Sequence, residues 1–328
     1  MTLLVTGSAG HLGEGLMRQL RATGRDAIGI DIKPSAFTDH VGSITDRDFV
    51  RRHMKGVRSV IHAATLHKPH VATHPHQDFI DTNVSGTLAL LEEALAANVE
   101  SFVFTSTTST FGAALTPAMG EPAAWIDENV APIPKNIYGV TKLSAEQLCE
   151  LFYRKRRLPV LVLRTSRFFP EPDDSIDVRN GFSTANAQAN ELLYRRVDIA
   201  DAVDAHLLAV ERAKAIGFGR YIISATTPFT REDLPELRRD PAAVLVRHFP
   251  DAPALYASRG WRMFPQIDRV YVNALAREQL GWQPKYDFAR VLDALRRGEE
   301  FRSPLAEAVG SKGYHDAVFE DGPYPVAS

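Results

Sequence analysis

Tyr138-Gly-Val-Thr-Lys142 sets a phenol and an ammonium at i and i+4, a spacing that puts both on one face of a helix. A cation beside a phenol favours the phenolate, so Lys142 is expected to pull the Tyr138 pKa below its ordinary value of about 10. A tyrosine tuned in this way exchanges a proton with a hydroxyl or carbonyl near neutral pH. Many surface helices carry the same pair, so its meaning depends on the elements upstream.

The chain opens on such an element. Thr2–Thr6 is a short apolar run, Gly7-Ser-Ala-Gly10-His11-Leu12-Gly13 follows at once, and helical periodicity then runs from Glu14 to Thr23. A glycine-rich turn between strand and helix lets backbone approach a pyrophosphate at the positive helix N-terminus. The spacing is Gly-x-x-Gly-x-x-Gly, and the next apolar run ends at Asp31. That acid lies about 20 residues past the loop, where a carboxylate holds the ribose diol of NAD and repels the 2′-phosphate of NADP. Lys33, two residues on, softens that preference. The competing reading, a strand-turn-helix with no ligand, has to explain the strand, loop, helix and acid all at once.

Further ordered motifs join these. Val60-Ile-His62-Ala63-Ala64, Asn83-Val-Ser-Gly86-Thr87, the hydroxyl-rich Phe102–Gly112, Val197-Asp-Ile-Ala-Asp201 and Leu280-Gly-Trp282-Gln-Pro284 occur in that order around the Tyr-Lys pair. Together they resemble the extended short-chain dehydrogenase/reductase superfamily, the NAD-dependent epimerase/dehydratase family, over residues 1 to about 300. The resemblance implies an α/β fold, a doubly wound parallel sheet of Rossmann type with a smaller C-terminal substrate-binding lobe. It implies an enzyme in which Tyr138 is the base, Lys142 binds the nicotinamide ribose and Thr107 hydrogen-bonds the reacting oxygen, with Ser106 and Thr108 as close rivals. It places NAD against Gly7, Gly10, His11, Leu12, Gly13, Asp31, Ser43, Ile44, Ala63, Ala64 and Asn83, besides Tyr138 and Lys142. It also implies a homodimer, paired through helices at 87–97 and 138–157.

Three departures bear on substrate. Ser43 stands where the family usually has Asp against the adenine amine, and Phe111 replaces a frequent Tyr. In Arg164-Thr-Ser-Arg167-Phe-Phe, Arg167 falls where the family has the Asn that contacts a sugar-nucleotide diphosphate. Arg167 can bind an anion bidentately or pair with Glu171 or Asp173. Five of the 11 histidines crowd into residues 62–76. Zinc would suit imidazoles, but no cysteine accompanies them and prolines interrupt the run. The expectation is polar substrate contact through His67 and Lys68, joined by Thr108 and Arg167, with no metal. Asp204 and His206 read as surface residues of a helix.

Composition narrows the class. The 328 residues are enough for one large domain or two smaller ones. A net charge of −2 offers no basic face for nucleic acid. One cysteine, Cys149, excludes an internal disulfide framework, and no apolar run reaches the ~20 residues of a membrane span. With the first strand at the start of the chain, the cytoplasm is the expected location. The βαβ rhythm predicts a NAD-binding unit over 1–166, rejoined by 197–225, a substrate lobe from 167–196 and 226–302, and a tail at 303–328. Residues 226–264 show no long regular pattern, whereas 268–280 and 288–298 read as helices.

Three functions compete: an epimerase acting on a nucleotide sugar with retained NAD; a dehydrogenase or reductase of a free sugar, sugar acid or other hydroxyl compound; and a cofactor-sensing protein without turnover.

Overall fold

The structure is a computed structural model that describes residues 2–313 together with His315 and Phe319. The described residues form nine strands: β1 (Leu3–Thr6), β2 (Ala27–Asp31), β3 (His40–Val41), β4 (Ser59–His62), β5 (Ser101–Thr107), β6 (Ala124–Ile126), β7 (Val160–Thr165), β8 (Phe218–Ile223) and β9 (Arg269–Tyr271). Seven of them make one parallel sheet in the order β3-β2-β1-β4-β5-β7-β8. The order runs outward both ways from the junction of β1 and β4, which creates a crevice at the carboxyl ends of those strands.

Central strands read as nearly unbroken apolar runs because both faces are covered. Side chains alternate across the sheet with period 2. Leu3, Val5, Ile61, Val103 and Leu161 pack with Leu16 and Leu20 of α1 (His11–Ala22) on one face. Leu4, Val60, Phe102, Phe104 and Val160 pack on the other, with Leu90 and Leu91 of α2 (Gly86–Ala96) and Ala145 and Cys149 of α3 (Ile137–Arg156). The cysteine is a packed, buried thiol. Helix α4 (Ile199–Ile216) returns to the first face through Val203, Ala209 and Val210. Trp282 of the Leu-Gly-Trp-x-Pro motif is buried and donates from Nε1 to the Asp201 carbonyl at 3.0 Å. The Asp201 carboxylate accepts the N–H groups of Lys285 and Tyr286, both at 2.8 Å. The motif therefore fastens the C-terminal lobe to the start of α4.

A separate apolar cluster gathers Leu193, Val244, Leu245, Phe264, Phe288, Val291 and Leu292. One sequence expectation holds here and one fails. Residues 226–264 hold short helices at Leu234–Leu237, Pro241–His248 and Ala252–Ser258. Each is opened by a proline at its first turn, which reads as a loop signal in sequence although it suits a helix start. The stretch read as a helix from 268 begins instead as β9, which pairs with β6, and becomes helical only at Ala274. Among the described residues no helix is long and apolar enough to cross a membrane.

The stretch read as a tail is partly built into the body: Pro304–Val309 forms a helix, and Lys312, Gly313 and His315 line the crevice. The remainder of that stretch falls outside the described residues.

Candidate active site

The crevice is a cleft of about 1040 Å³ along the carboxyl ends of β1, β2, β4, β5 and β7. At one end is the glycine loop. Gly7 sits at φ +75°, and a Cβ there would come within 2.7 Å of the Ala64 nitrogen. A Cβ on Gly13 would lie 1.9 Å from the Gly7 carbonyl. Neither position admits a side chain, and the closeness leaves backbone amides facing the cleft at the start of α1. Asp31 closes this end: its carboxylate accepts from the Ala9 N–H at 3.0 Å and the Lys33 N–H at 2.9 Å. The Ser43 hydroxyl is paired with Thr45 Oγ1 at 2.7 Å. Glycine cradle, helix N-terminus and carboxylate fit the adenosine and pyrophosphate parts of a dinucleotide.

At the other end stand Tyr138, Lys142 and Thr107. Asn136 caps α3 by accepting the Gly139 N–H at 3.0 Å, which starts the helix one residue before Tyr138. Tyr138 is 8% and Lys142 2% exposed. The Thr107 hydroxyl stands near the Tyr138 phenol, close enough to favour its anion. Its rivals lie differently: Ser106 donates to Glu146 Oε1 at 2.5 Å on the far face of the strand, and Thr108 opens a turn at the cleft wall.

The expected coupling of lysine and tyrosine is overturned. Burial pushes the Tyr138 phenol up to about 12, with only the Thr107 hydroxyl holding it back. Lys142 is driven down to about 7 by burial, against the pull of Cys149 and Glu146, and its Nζ lies 4.0 Å from the Phe104 ring centre. Removal from water outweighs the pairing that spacing alone suggests.

A pH dependence follows. The folded state holds Lys142 near 7 while the unfolded chain keeps it at about 10.4. Above about pH 7 the unfolded state therefore binds more protons, and stability rises with pH. From about pH 7 to about pH 8 the wild-type protein is expected to gain roughly 1 kcal/mol relative to Lys142→Met, measured by urea unfolding at each pH. A constant difference between the two would contradict the burial of this ammonium.

Every expected site residue lines the cleft except Asn83. Asn83 lies in a widened π-helical turn, Ile80–Ser85. Its Oδ1 accepts the Leu66 N–H at 2.9 Å and its Nδ2 donates to Thr141 Oγ1 at 3.0 Å. It ties the loop after β4 to the helix bearing Tyr138. His62 is likewise internal, bonded to Thr6 and Thr87, and burial, assisted by the charge on Lys142, holds its imidazole well below the usual range.

The candidate substrate contacts are partly engaged. Lys68 and Arg167 share Asp174, Arg167 at 2.9 Å, and Arg167 also donates to the Pro172 carbonyl at 2.6 Å. The pairing expected within its own loop is present: Arg167 meets Asp173 at 3.7 Å and, more closely, Asp174 at 2.9 Å, while Glu171 offers it only its backbone carbonyl. His67 lies against His70, and burial, followed by the charge of His70, lowers its imidazole well below the usual range. Among the described residues no group of three or more His, Cys, Asp or Glu is placed to hold a metal ion.

Two features escaped the sequence reading. His206 is fully buried rather than on the surface: it bonds Thr105 Oγ1, whereas Asp204 is half-exposed beside Lys285. The second is a strap. Glu171 Oε1 accepts from His11 Nε2 at 2.8 Å, Ser311 Oγ at 2.8 Å and the Lys312 N–H at 2.9 Å, while Lys312 Nζ pairs with Glu14. Burial opposes the Glu171 charge, yet the His11 hydrogen bond and charge, with those of the strap, bring its pKa down to about 2. His315 Nε2 reaches the Pro69 carbonyl at 3.1 Å. Glycines and small polar residues conceal such a strap, because its contacts are with segments about 140 and 300 residues away.

The comparisons agree with this geometry. The sequence profile described as the NAD dependent epimerase/dehydratase family matches residues 3–223. A UDP-glucose 4-epimerase of Rhizobium meliloti is 27% identical over 333 residues, covering 89% of this chain and 95% of the relative. An NAD-dependent glucose-6-phosphate dehydrogenase of Haloferax volcanii is 28% identical over 177 residues, 49% of this chain and 66% of the relative. Among solved structures, a short-chain dehydrogenase/reductase superfamily protein from Agrobacterium tumefaciens with bound NAD aligns with TM-score 0.65 at 24% identity, over 91% of this chain and 98% of that one. The chain belongs to the NAD dependent epimerase/dehydratase family, and is an enzyme of the extended short-chain dehydrogenase/reductase type with NAD as its cofactor.

Proposed function

We propose that this protein is a sugar epimerase acting on a nucleotide sugar, with UDP-glucose and its C4 epimer as the first candidates. NAD, when bound, supplies a hydride acceptor and then a hydride donor. The chain's own residues govern the proton. Tyr138 Oη, acting as the phenolate, takes it from the substrate hydroxyl as the ketone forms and returns it as the hydroxyl is restored on the other face; burial opposes that anion, so the step depends on the positive charge and hydroxyl beside it. Thr107 donates to the phenolic oxygen and steadies its anion, and Lys142 adds positive charge from the same helix face when protonated. Gly7, Gly10, His11, Leu12, Gly13 and Asp31 hold the adenosine and pyrophosphate end, with Ser43, Ile44, Ala63 and Ala64 along the wall. Asn83 acts as a positioning residue. Residues 167–196 and 226–302 form the substrate lobe in this reading, with Thr108, His67, Lys68 and Arg167 at its border.

The observation that carries epimerase over net dehydrogenase is the strap. An epimerase keeps its cofactor through both half-reactions, and Ser311–Gly313 bridges α1 and the 171 loop over the cleft wall. A Ser311→Ala/Lys312→Met variant is expected to release NAD about tenfold faster, since losing bonds worth ~1 kcal/mol each opens the roof; stopped-flow displacement measures it. An unchanged release rate would remove the strap as support. The function itself is tested by incubating the protein with UDP-glucose and separating the sugars: UDP-galactose without accumulating NADH supports it.

One observation favours a second reading, a dehydrogenase of a free sugar, sugar acid or sugar phosphate. Arg167, at the position of the family's diphosphate contact, is neutralised by Asp174. NADH accumulating with such a substrate and inert UDP-sugars would establish it.

A homodimer through α2 and α3 belongs to the same proposal. Leu95, Leu151 and Phe152 line a groove between these helices, and Leu151 is 40% exposed. Light scattering should give twice the chain mass; a monomer at working concentration would contradict it.

A further inference from the structure

Thr105 is the most exposed residue of β5, and it lines the cleft. Its hydroxyl is not free to rotate. Thr105 Oγ1 lies 2.9 Å from His206 Nε2, and His206 Nδ1 lies 2.7 Å from the Ala202 carbonyl. A carbonyl only accepts, so Nδ1 carries the proton. Burial brings the imidazole down to about 4, so the ring is neutral at working pH and Nε2 is an acceptor. Thr105 must then donate to it. The threonine oxygen is left facing the cleft with lone pairs only.

A fixed acceptor selects for a donor. If the glycine loop and Asp31 hold the adenosine end over β1 and β2, the sheet order β2-β1-β4-β5-β7 would bring the opposite end of a bound dinucleotide toward β5 and β7. The group there with N–H to donate is the nicotinamide carboxamide. We propose that Thr105 is a cofactor-positioning residue that accepts a carboxamide N–H, with His206 behind it locking the hydroxyl in the accepting sense. Such a contact would restrain how the nicotinamide ring turns in the cleft when the cofactor is bound. A proton relay through Thr105 to His206 is disfavoured, because so weakly basic an imidazole accepts no proton from a hydroxyl. The inference concerns the cofactor alone and holds for either substrate reading.

The test compares NAD with 3-acetylpyridine adenine dinucleotide, in which a methyl group replaces the amide NH2. Dissociation constants are measured by calorimetry without substrate. The wild-type protein should bind NAD about tenfold tighter than the analogue, the loss of one buried hydrogen bond. Thr105→Ser should keep that ratio. Thr105→Val alone strands His206 Nε2 in the core, so Thr105→Val/His206→Phe, which makes both partners apolar, is the safer variant. It should bring the ratio to about one by weakening NAD alone. Equal wild-type affinities for the two dinucleotides, or a ratio preserved in the apolar double variant, would overturn the proposal.

Discussion

Tyr138→Phe is expected to lower kcat by about a thousandfold or more, the scale of a lost general acid–base group, while the NAD dissociation constant changes by less than about threefold. The substitution removes one oxygen and leaves the ring in its buried place. That oxygen is the titrating atom whose anion the neighbouring Thr107 hydroxyl favours. Lys142 cannot replace it, because its ammonium is turned onto the Phe104 ring. Steady-state rates on the substrate, paired with an NAD titration of the same preparation, check both halves. Turnover within tenfold of wild type would move the proton transfer elsewhere; a parallel collapse of NAD binding would make Tyr138 structural. Retained NAD binding without turnover would also separate the enzyme from a cofactor-sensing protein.

The second large effect is expected below the site. Glu146 is fully buried on α3; its carboxylate takes a bond from Ser106 at 2.5 Å and three from Arg164, the nearest at 2.7 Å, with the partly exposed Arg220 3.4 Å away and also paired to Glu150. Arg164 is 3% exposed, with its guanidinium over the Phe111 ring. Glu146→Leu leaves that guanidinium unpaired in the core, which costs about 3–5 kcal/mol. The melting temperature should fall by roughly 10 °C. Arg164→Met in the same chain should recover most of the loss, because a matched apolar pair removes the stranded charge. Activity should fall as well, since Ser106 anchors the strand end that presents Thr107. A melting temperature within about 2 °C of wild type, by calorimetry, would show that water reaches the pair.

What could be read from the sequence, and what could not, divides along physical lines. The strands, α1 and the glycine loop are local: apolar runs, glycine spacing and the Asp31 distance suffice to place them, and the structure puts each at the expected sheet edge. The residues named from sequence, Asn83 apart, line the cleft because most of them follow strand ends. Asn83 differs because its neighbours across the fold, Leu66 and Thr141, use both of its amide atoms. The pKa ordering of Tyr138 and Lys142 was misjudged for a related reason. Spacing reports the distance between two groups, while burial depends on everything packed around them. His206 looks like a surface residue by its flanking acids, and only the sheet against which α4 lies shows it to be internal. Prolines hid the helices of 234–258 by marking their starts as breaks. The strap depends on Glu14 and Glu171, far off in sequence, and no local pattern announces such a contact.

The central claim is that hydride leaves and returns to one carbon within a closed cycle. The direct measurement uses UDP-galactose deuterated at C4, incubated with the protein and excess unlabelled NAD, followed by mass spectrometry of sugar and cofactor. The account predicts UDP-glucose that retains the deuterium, with no deuterated NADH in solution. Deuterium appearing in free NADH, with a ketone or acid accumulating in place of the epimer, would contradict it.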